Sequence, residues 1–388
     1  MTNLDYRTAG ESHGHSLIVF IEGLPAGLTI DHAAIDAALR RRQGGFGRGG
    51  RMKIETDSAQ VLSGVRSGVT IGSPLAMQII NKDHRIDSAP AVSRPRPGHA
   101  DFPGAMKYLT TDCRAVLERA SARETAARVA AGAVAKQILG RFGIEAVGFV
   151  VRIGGIAATV SESMSVAEII SARDQSEVYC PDAGASAKMI EAIKQAKANK
   201  DTLGGVVEVR VTGAPPGLGS CMRWQDKLDG RILGALGSVQ AFKGVEIGLG
   251  FACAERPGSL VHDEIDYDAA ARDSASLGFA RRSNNAGGLE GGMTNGMPIV
   301  VRGVMKPIST LLKGLDSVNL ETLQSERSDY ERSDICAVPA AGVVAEHVVA
   351  FEIARAFLEK FAGDTLGEVE SAYRHYLDAA RGQGGGRA

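Results

Sequence analysis

Two histidines and a crowd of arginines are the side chains in this 388-residue chain with the most obvious capacity for chemistry. His13 stands in Gly10-Glu11-Ser12-His13-Gly14, where flanking glycines leave the backbone free to turn the imidazole toward a ligand. His99 follows Pro95, Pro97 and Gly98, and prolines stiffen the chain in front of it. A rigidly held imidazole is what positioned proton transfer requires. His99 belongs to a stretch, residues 93–125, that also carries Arg94, Arg96, Arg114, Arg119 and Arg123. So much positive charge points to an anion site. Ser121-Ala122-Arg123-Glu124 has the S-x-x-E form of a capping box, which predicts a helix from Ser121 to about Gly143. Arginine forks beside the free N–H groups of a helix start suit phosphate or carboxylate.

A second cluster, Arg40-Arg41-Arg42-Gln43-Gly44-Gly45-Phe46-Gly47-Arg48-Gly49-Gly50-Arg51, contains no acid. Residues 45–50 match G-x-G-x-x-G, but they follow a helical pattern, whereas the dinucleotide fingerprint follows a strand and opens a helix. The arrangement expected instead is a mobile loop whose arginines close over a multiply charged anion. Further along, the glycine-rich residues 281–296 would let backbone amides approach a ligand. Lys306-Pro307-Ile308-Ser309-Thr310 brings a cation and two hydroxyls to a strand end, and Glu331-Arg332-Ser333-Asp334 precedes a helix that Pro339 can open.

The elements that must position these groups are a mixture. Periodicity predicts strands at 16–23, 60–65, 75–81, 144–156, 206–212, 245–250 and 298–305. It predicts helices at 31–42, 186–200, 226–242, 340–361 and 365–381. The run strand, Gly23-Leu24-Pro25-Ala26-Gly27-Leu28, helix is echoed by strand, Gly213-Ala214-Pro215-Pro216-Gly217-Leu218, helix, which suggests two related halves. Hydrophobic residues make up 44% of the chain, enough for a large core in one big domain or two. The net charge of −1 argues against a nucleic-acid binder, whose binding domain is normally basic. No apolar run reaches the ~18 residues of a membrane span. No secretory signal opens the chain. Cys113, Cys180, Cys221, Cys253 and Cys336 are odd in number and never form C-x-x-C, which predicts reduced thiols in a cytosol and no metal site.

Five blocks together resemble the chorismate synthase family over nearly the whole chain: Gly10-Glu11-Ser12-His13-Gly14, the RPGHAD of residues 96–101, the RASARET of 119–125, the GGLEGGM of 287–293 and the KPIST of 306–310. The resemblance implies an α+β fold, a βαβ sandwich with helices layered between antiparallel sheets and pseudo-duplicated halves. It implies one domain over 1–388 with a flexible tail from about 382. The implied reaction is a lyase step, anti-1,4 elimination of phosphate from 5-enolpyruvylshikimate 3-phosphate to give chorismate, using reduced FMN (FMNH2) without net redox. It implies His13, His99 and Asp334 as catalytic residues, and Arg42 and Arg48 on the substrate anions or on NADP. For FMN it implies Arg119, Ala120, Ser121, Gln240, Ala241, Gly291, Lys306, Pro307, Ile308, Ser309, Thr310 and Arg332. Many relatives carry serine where this chain has Ala120, so only a backbone contact is available there. The resemblance also implies a cytoplasmic homotetramer with a small phosphorylated substrate and neither nucleic acid nor membrane as partner. It leaves open whether NADPH or an external flavin reductase supplies the electrons. Two other readings compete: a flavin-dependent oxidoreductase acting on a phosphorylated anion, and a polyanion-binding module. Aromatics at 5% are scarce for the stacking platforms of the latter.

Overall fold

The protein is described by a computed structural model over residues 4–49, 55–329, 331 and 334–383. The chain opens with β1 (Asp5–Ala9), β2 (Ser16–Glu22), α1 (His32–Gln43), β3 (Gln60–Ser63) and β4 (Leu75–Ile80). Two short helices, α2 (Asp101–Tyr108) and α3 (Arg114–Arg119), lead into α4 (Thr125–Gly140). The second half runs through β5 (Glu145–Ile153), β6 (Ile156–Ala157), α5 (Val166–Asp174), α6 (Ala183–Ala198), β7 (Gly205–Thr212), α7 (Leu228–Gly237), β8 (Phe242–Ile247) and β9 (Ile299–Met305). It closes with α8 (Val338–Lys360) and α9 (Leu366–Arg381).

The strands form two antiparallel sheets, β1-β2-β4-β3 and β8-β9-β7-β5-β6. On β2, Leu17, Val19 and Ile21 are buried while Phe20 is exposed, the alternation of a sheet with one wet face. Helix α4 packs on the first sheet and α7 and α8 on the second, while α1 packs on α4 and α8, so the helices lie between the sheets. Both central helices are apolar nearly all round, as a helix packed on every side must be. They approach closely at Gly132, where a Cβ would stand 2.3 Å from the His347 carbonyl oxygen. Only glycine permits that contact.

The two halves share one topology. Strands β1, β2, β4 and β3 correspond to β5, β7, β9 and β8, with α1 matching α7 and α4 matching α8. The sequence echo is the visible trace of this. In the first half the Thr70 hydroxyl donates to Pro25 O (2.7 Å) and accepts from Leu28 N–H (2.9 Å). In the second, the Thr294 hydroxyl donates to Pro215 O (2.6 Å) and accepts from Leu218 N–H (2.8 Å). Both turns use the same bonds because each carries the chain from a corresponding strand to a corresponding helix.

One expectation is corrected. Ser121 does not start the long helix: residues Ala122–Glu124 form a 3₁₀ turn, and the α-helix begins at Thr125. The Ser121 hydroxyl accepts from Arg123 N–H (3.3 Å), while the Glu124 carboxylate is drawn away to Thr8, Arg128 and Gln240. Capping boxes close instead at Ser165–Glu168 and Thr365–Glu368.

Candidate active site

The antiparallel registers put most of the candidate residues at one end of the sandwich. Ser16 faces Ile80 and Phe242 faces Met305, so the β1–β2 loop and the chain leaving β4 and β9 emerge together. Corresponding connections of the two halves supply the groups. The α1–β3 connection gives Arg48 and its counterpart α7–β8 gives Gln240 and Ala241. The β4–α4 connection gives His99 and Arg119–Ser121, and its counterpart β9–α8 gives Lys306–Thr310 and Asp334.

The β1–β2 loop is tied down by Asn81, whose side-chain N–H groups donate to Glu11 O (3.1 Å) and Gly14 O (2.7 Å). His13 Nδ1 lies 2.9 Å from both carboxylate oxygens of Glu118, and His13 N–H donates to Oε2 at 2.8 Å. Glu118 is fully buried on α3 and is also held by Arg114 Nη1 (3.3 Å). Burial alone would raise its pKa, but the bonds from His13 and Arg114 hold it below the usual carboxylate value. His13 Nε2 points the other way, 3.7 Å from an Asp83 oxygen.

His99 is held in a parallel fashion. Its Nδ1 meets Asp101 Oδ1, which also accepts from Arg96 Nη2 (3.0 Å), while Arg96 Nε donates to Oδ2 (2.8 Å). Burial works against the Asp101 charge, yet His99 and Arg96 keep its carboxyl far below the usual range. Arg96 Nη1 reaches Thr310 Oγ1 (3.1 Å), and Gly98 lies against Lys306 and Ser309. The two blocks that carry His99 and Lys306 therefore meet.

Arg119 bonds back to the end of β1, donating to Gly10 O (2.8 Å) and Thr8 O (3.0 Å). Ser121 Oγ donates to Ser12 Oγ (3.2 Å). Ala120 caps α3, its N–H donating to Val116 O (2.9 Å). Glu124 links this segment to the second half, accepting from Gln240 Nε2 (3.1 Å), and Ala241 O accepts from Lys306 N–H (3.0 Å). Ile308 O accepts from Thr202 Oγ1 (2.7 Å). Arg48 Nη1 pairs with Asp334 (3.2 Å), whose other oxygen accepts from Gly49 N–H (2.6 Å).

Two features of this end fit an anionic group. Lys306 is half-buried beside Lys243, and burial first, then the second positive charge, lowers its pKa. Two ammonium groups that approach in this way favour a phosphate between them. Among the described residues no donor reaches the buried Gln240 Oε1, an acceptor that a ligand donor could satisfy. Ala241 has φ +68°, a strained conformation for a residue with a Cβ. Among the described residues no group of three His, Cys, Asp or Glu is placed to hold a metal ion, and no helix is long and apolar enough to cross a membrane.

Two expectations about the site change. Arg42 is not on a loop: it is buried in the last turn of α1, with Nη2 donating to Asp57 Oδ2 (2.7 Å). Arg123 Nη1 donates to both oxygens of the same carboxylate, each at 2.7 Å. Burial, offset in part by Asp57, pulls the Arg42 guanidinium down to about 10, and the charges of Arg123 and Arg48 add to that fall. Gly291 is not brought to the others. It turns the Leu289–Thr294 hairpin with φ +60°, beside Gly217 and Leu218 at the opposite end of the sandwich. Its glycine is required by the turn. Arg332 lies outside the described residues. The groups that sequence reasoning missed are the buried carboxylates Glu118, Asp101, Asp57 and Glu124. Asp101 had a signal in its position two residues after His99; Glu118 had none, being 105 residues from His13.

A family model described as Chorismate synthase matches residues 4–358. A chorismate synthase of Geobacter sulfurreducens is 55% identical, covering 97% of this chain and 99% of its own. That of Desulforamulus reducens is 53% identical with the same coverage. A solved structure titled "Crystal Structure of Chorismate Synthase" matches with a TM-score of 0.79 at 40% identity, over 98% of this chain and 99% of that one.

Proposed function

The chain belongs to the chorismate synthase family, and from that premise we propose how its residues divide the work. The enzyme is a carbon–oxygen lyase of aromatic amino acid biosynthesis that converts 5-enolpyruvylshikimate 3-phosphate to chorismate and phosphate. The substrate is a small phosphorylated molecule, and its charges fit the arginine-rich end of the sandwich.

In this proposal reduced FMN lies along Arg119, Ala120, Ser121, Gln240, Ala241 and residues 306–310. What supports it is the Lys306–Lys243 pair, together with a Gln240 oxygen that has no partner among the described residues. Lys306 would hold the flavin phosphate. Gln240 Oε1 would accept a flavin N–H or hydroxyl. Reduced flavin, when bound, supplies electron density to the substrate ring as phosphate leaves and recovers it as the ring proton is lost, so there is no net redox. Asp334, oriented by Arg48 and Gly49 N–H, would face the flavin edge.

The chain's own contribution is charge and proton placement. Breaking the C–O bond puts negative charge on the departing phosphate, and cations fixed in advance stabilise that state more than the ground state. Arg48 supplies one such charge directly. Arg42, committed to Asp57, acts through the field of the Arg42–Arg123 cluster. His13 Nε2 delivers a proton to the leaving phosphate. His99, braced by Asp101 and Arg96 and following Gly98, which lies against Lys306, would help to hold the flavin.

The proposal includes a homotetramer in the cytoplasm, with reducing equivalents from NADPH or an external flavin reductase. Binding separates the two subsites. Lys306→Ala should weaken FMN binding, read by flavin fluorescence, while Arg48→Ala should weaken substrate binding and leave FMN affinity near that of the parent. Loss of FMN affinity from Arg48→Ala alone would show that the loop is misassigned.

A further inference from the structure

We infer that Glu118 is the positioning residue of His13: its carboxylate accepts the Nδ1 proton, so that Nε2 is the nitrogen presented to the substrate phosphate. The inference rests on the assignment of His13 made above. Glu118 comes from α3, in a different part of the chain, yet it holds the centre of the Gly10–Gly14 loop, at Ser12 and His13. Its backbone carbonyl accepts from Ser12 N–H (3.0 Å), and its carboxylate accepts from His13 N–H (2.8 Å) and from Nδ1, which is 2.9 Å from each oxygen. Main chain and ring of His13 are thus fixed by one side chain with no solvent exposure.

The carboxylate is itself locked. Arg114 Nη1 donates to Oε1 (3.3 Å) while Nη2 of the same guanidinium donates to Glu331 (2.9 Å). A carboxylate surrounded by donors can only accept, so the shared proton belongs on His13 Nδ1. The neutral ring then carries its lone pair at Nε2, and the protonated ring carries a transferable proton there. This is how a buried acid selects the tautomer of a working histidine without touching the reacting atoms.

The test uses the full-length enzyme with ¹⁵N-labelled histidine, the His13 resonances being assigned by their loss in His13→Ala. Expected is a neutral His13 protonated at Nδ1 and bare at Nε2 in the parent, and a mixture of tautomers in Glu118→Gln. Glu118→Gln should lower kcat about 10- to 100-fold with KM little changed. In a His13→Ala background the same substitution should cost nothing further, because Glu118 acts only through His13. A neutral parent ring with its proton on Nε2 and none on Nδ1 overturns the inference, as does a Glu118→Gln loss of equal size with and without His13. The parent spectrum decides the matter even if Glu118→Gln fails to fold. Should His13→Ala keep full turnover, the catalytic assignment of His13 fails, while the tautomer still reports whether Glu118 positions it.

Discussion

His347 gives the fold a pH dependence that can be calculated. It sits in the middle of α8 with essentially no exposure, its Nδ1 donating to Val343 O (2.7 Å), and its backbone is pressed against Gly132 of α4. Burial drives its pKa down to about 3; the adjacent Glu346 opposes this, and Lys136 and Arg41 reinforce it. In the unfolded chain a histidine titrates near ~6.5. Between those values the unfolded state binds a proton that the folded state refuses, so stability rises with pH through that window. From pH 7 to pH 5 the loss from this one group integrates to about 2 kcal/mol. An unfolding entropy of about 2.1 cal/mol/K per residue over 388 residues converts this to a fall in Tm of about 2 °C. Glu352, raised mainly by burial, acts in the opposite sense just above its ordinary pKa. The useful quantity is therefore the difference between the parent and His347→Gln, which keeps an N–H donor and does not titrate. Calorimetry at the two pH values should show the parent losing about 2 °C more than the variant. Parallel Tm profiles would refute a neutral buried His347.

Two further substitutions test the fold. Glu346, fully buried, gathers Arg41 Nη2 (2.6 Å), Arg173 Nη1 (3.3 Å), Lys136 Nζ and Gly148 N–H (2.9 Å). These partners hold its carboxylate well below its ordinary pKa against the effect of burial. Glu346→Gln leaves the cations uncompensated and should cost about 3–5 kcal/mol in denaturant unfolding. A cost below 1 kcal/mol would mean that solvent, not Glu346, neutralises them. Thr70→Val and Thr294→Val each strand a turn N–H and should each cost about 1–3 kcal/mol. If the two halves are copies, the two losses should agree to within a factor of about two.

Much of this architecture was legible in the residues, and the exceptions have physical causes. The strand over residues 16–22 and the helix capped by Asp31 announce themselves through alternation and a local cap, both decided within a few residues. The Gly-Leu-Pro and Gly-Ala-Pro turns revealed the duplication because each turn needs the same backbone shape. His13, His99 and the residues around Lys306 could be picked out by type and by motif, and the structure brings His99 and Lys306 into one neighbourhood. Ser121–Glu124 misled because Glu124 has better partners in Arg128, Thr8 and Gln240 than the backbone it was expected to cap. Arg42 looked like part of a mobile loop because nothing local reveals that Asp57 will receive it. Glu118 was invisible for the same reason: its meaning lies in a contact with a loop folded in from the far end of the first half. Local rules find turns and caps; long-range charge pairing has to be seen.

The proposed reaction is elimination of phosphate assisted by a flavin that is not consumed. The direct measurement is an anaerobic reaction of the enzyme with reduced FMN and 5-enolpyruvylshikimate 3-phosphate, following phosphate, chorismate absorbance and flavin redox state together. Phosphate and chorismate should appear in equal amounts over many turnovers while the flavin ends reduced. Product formed without reduced flavin, or one flavin oxidised for each product released, would contradict the account.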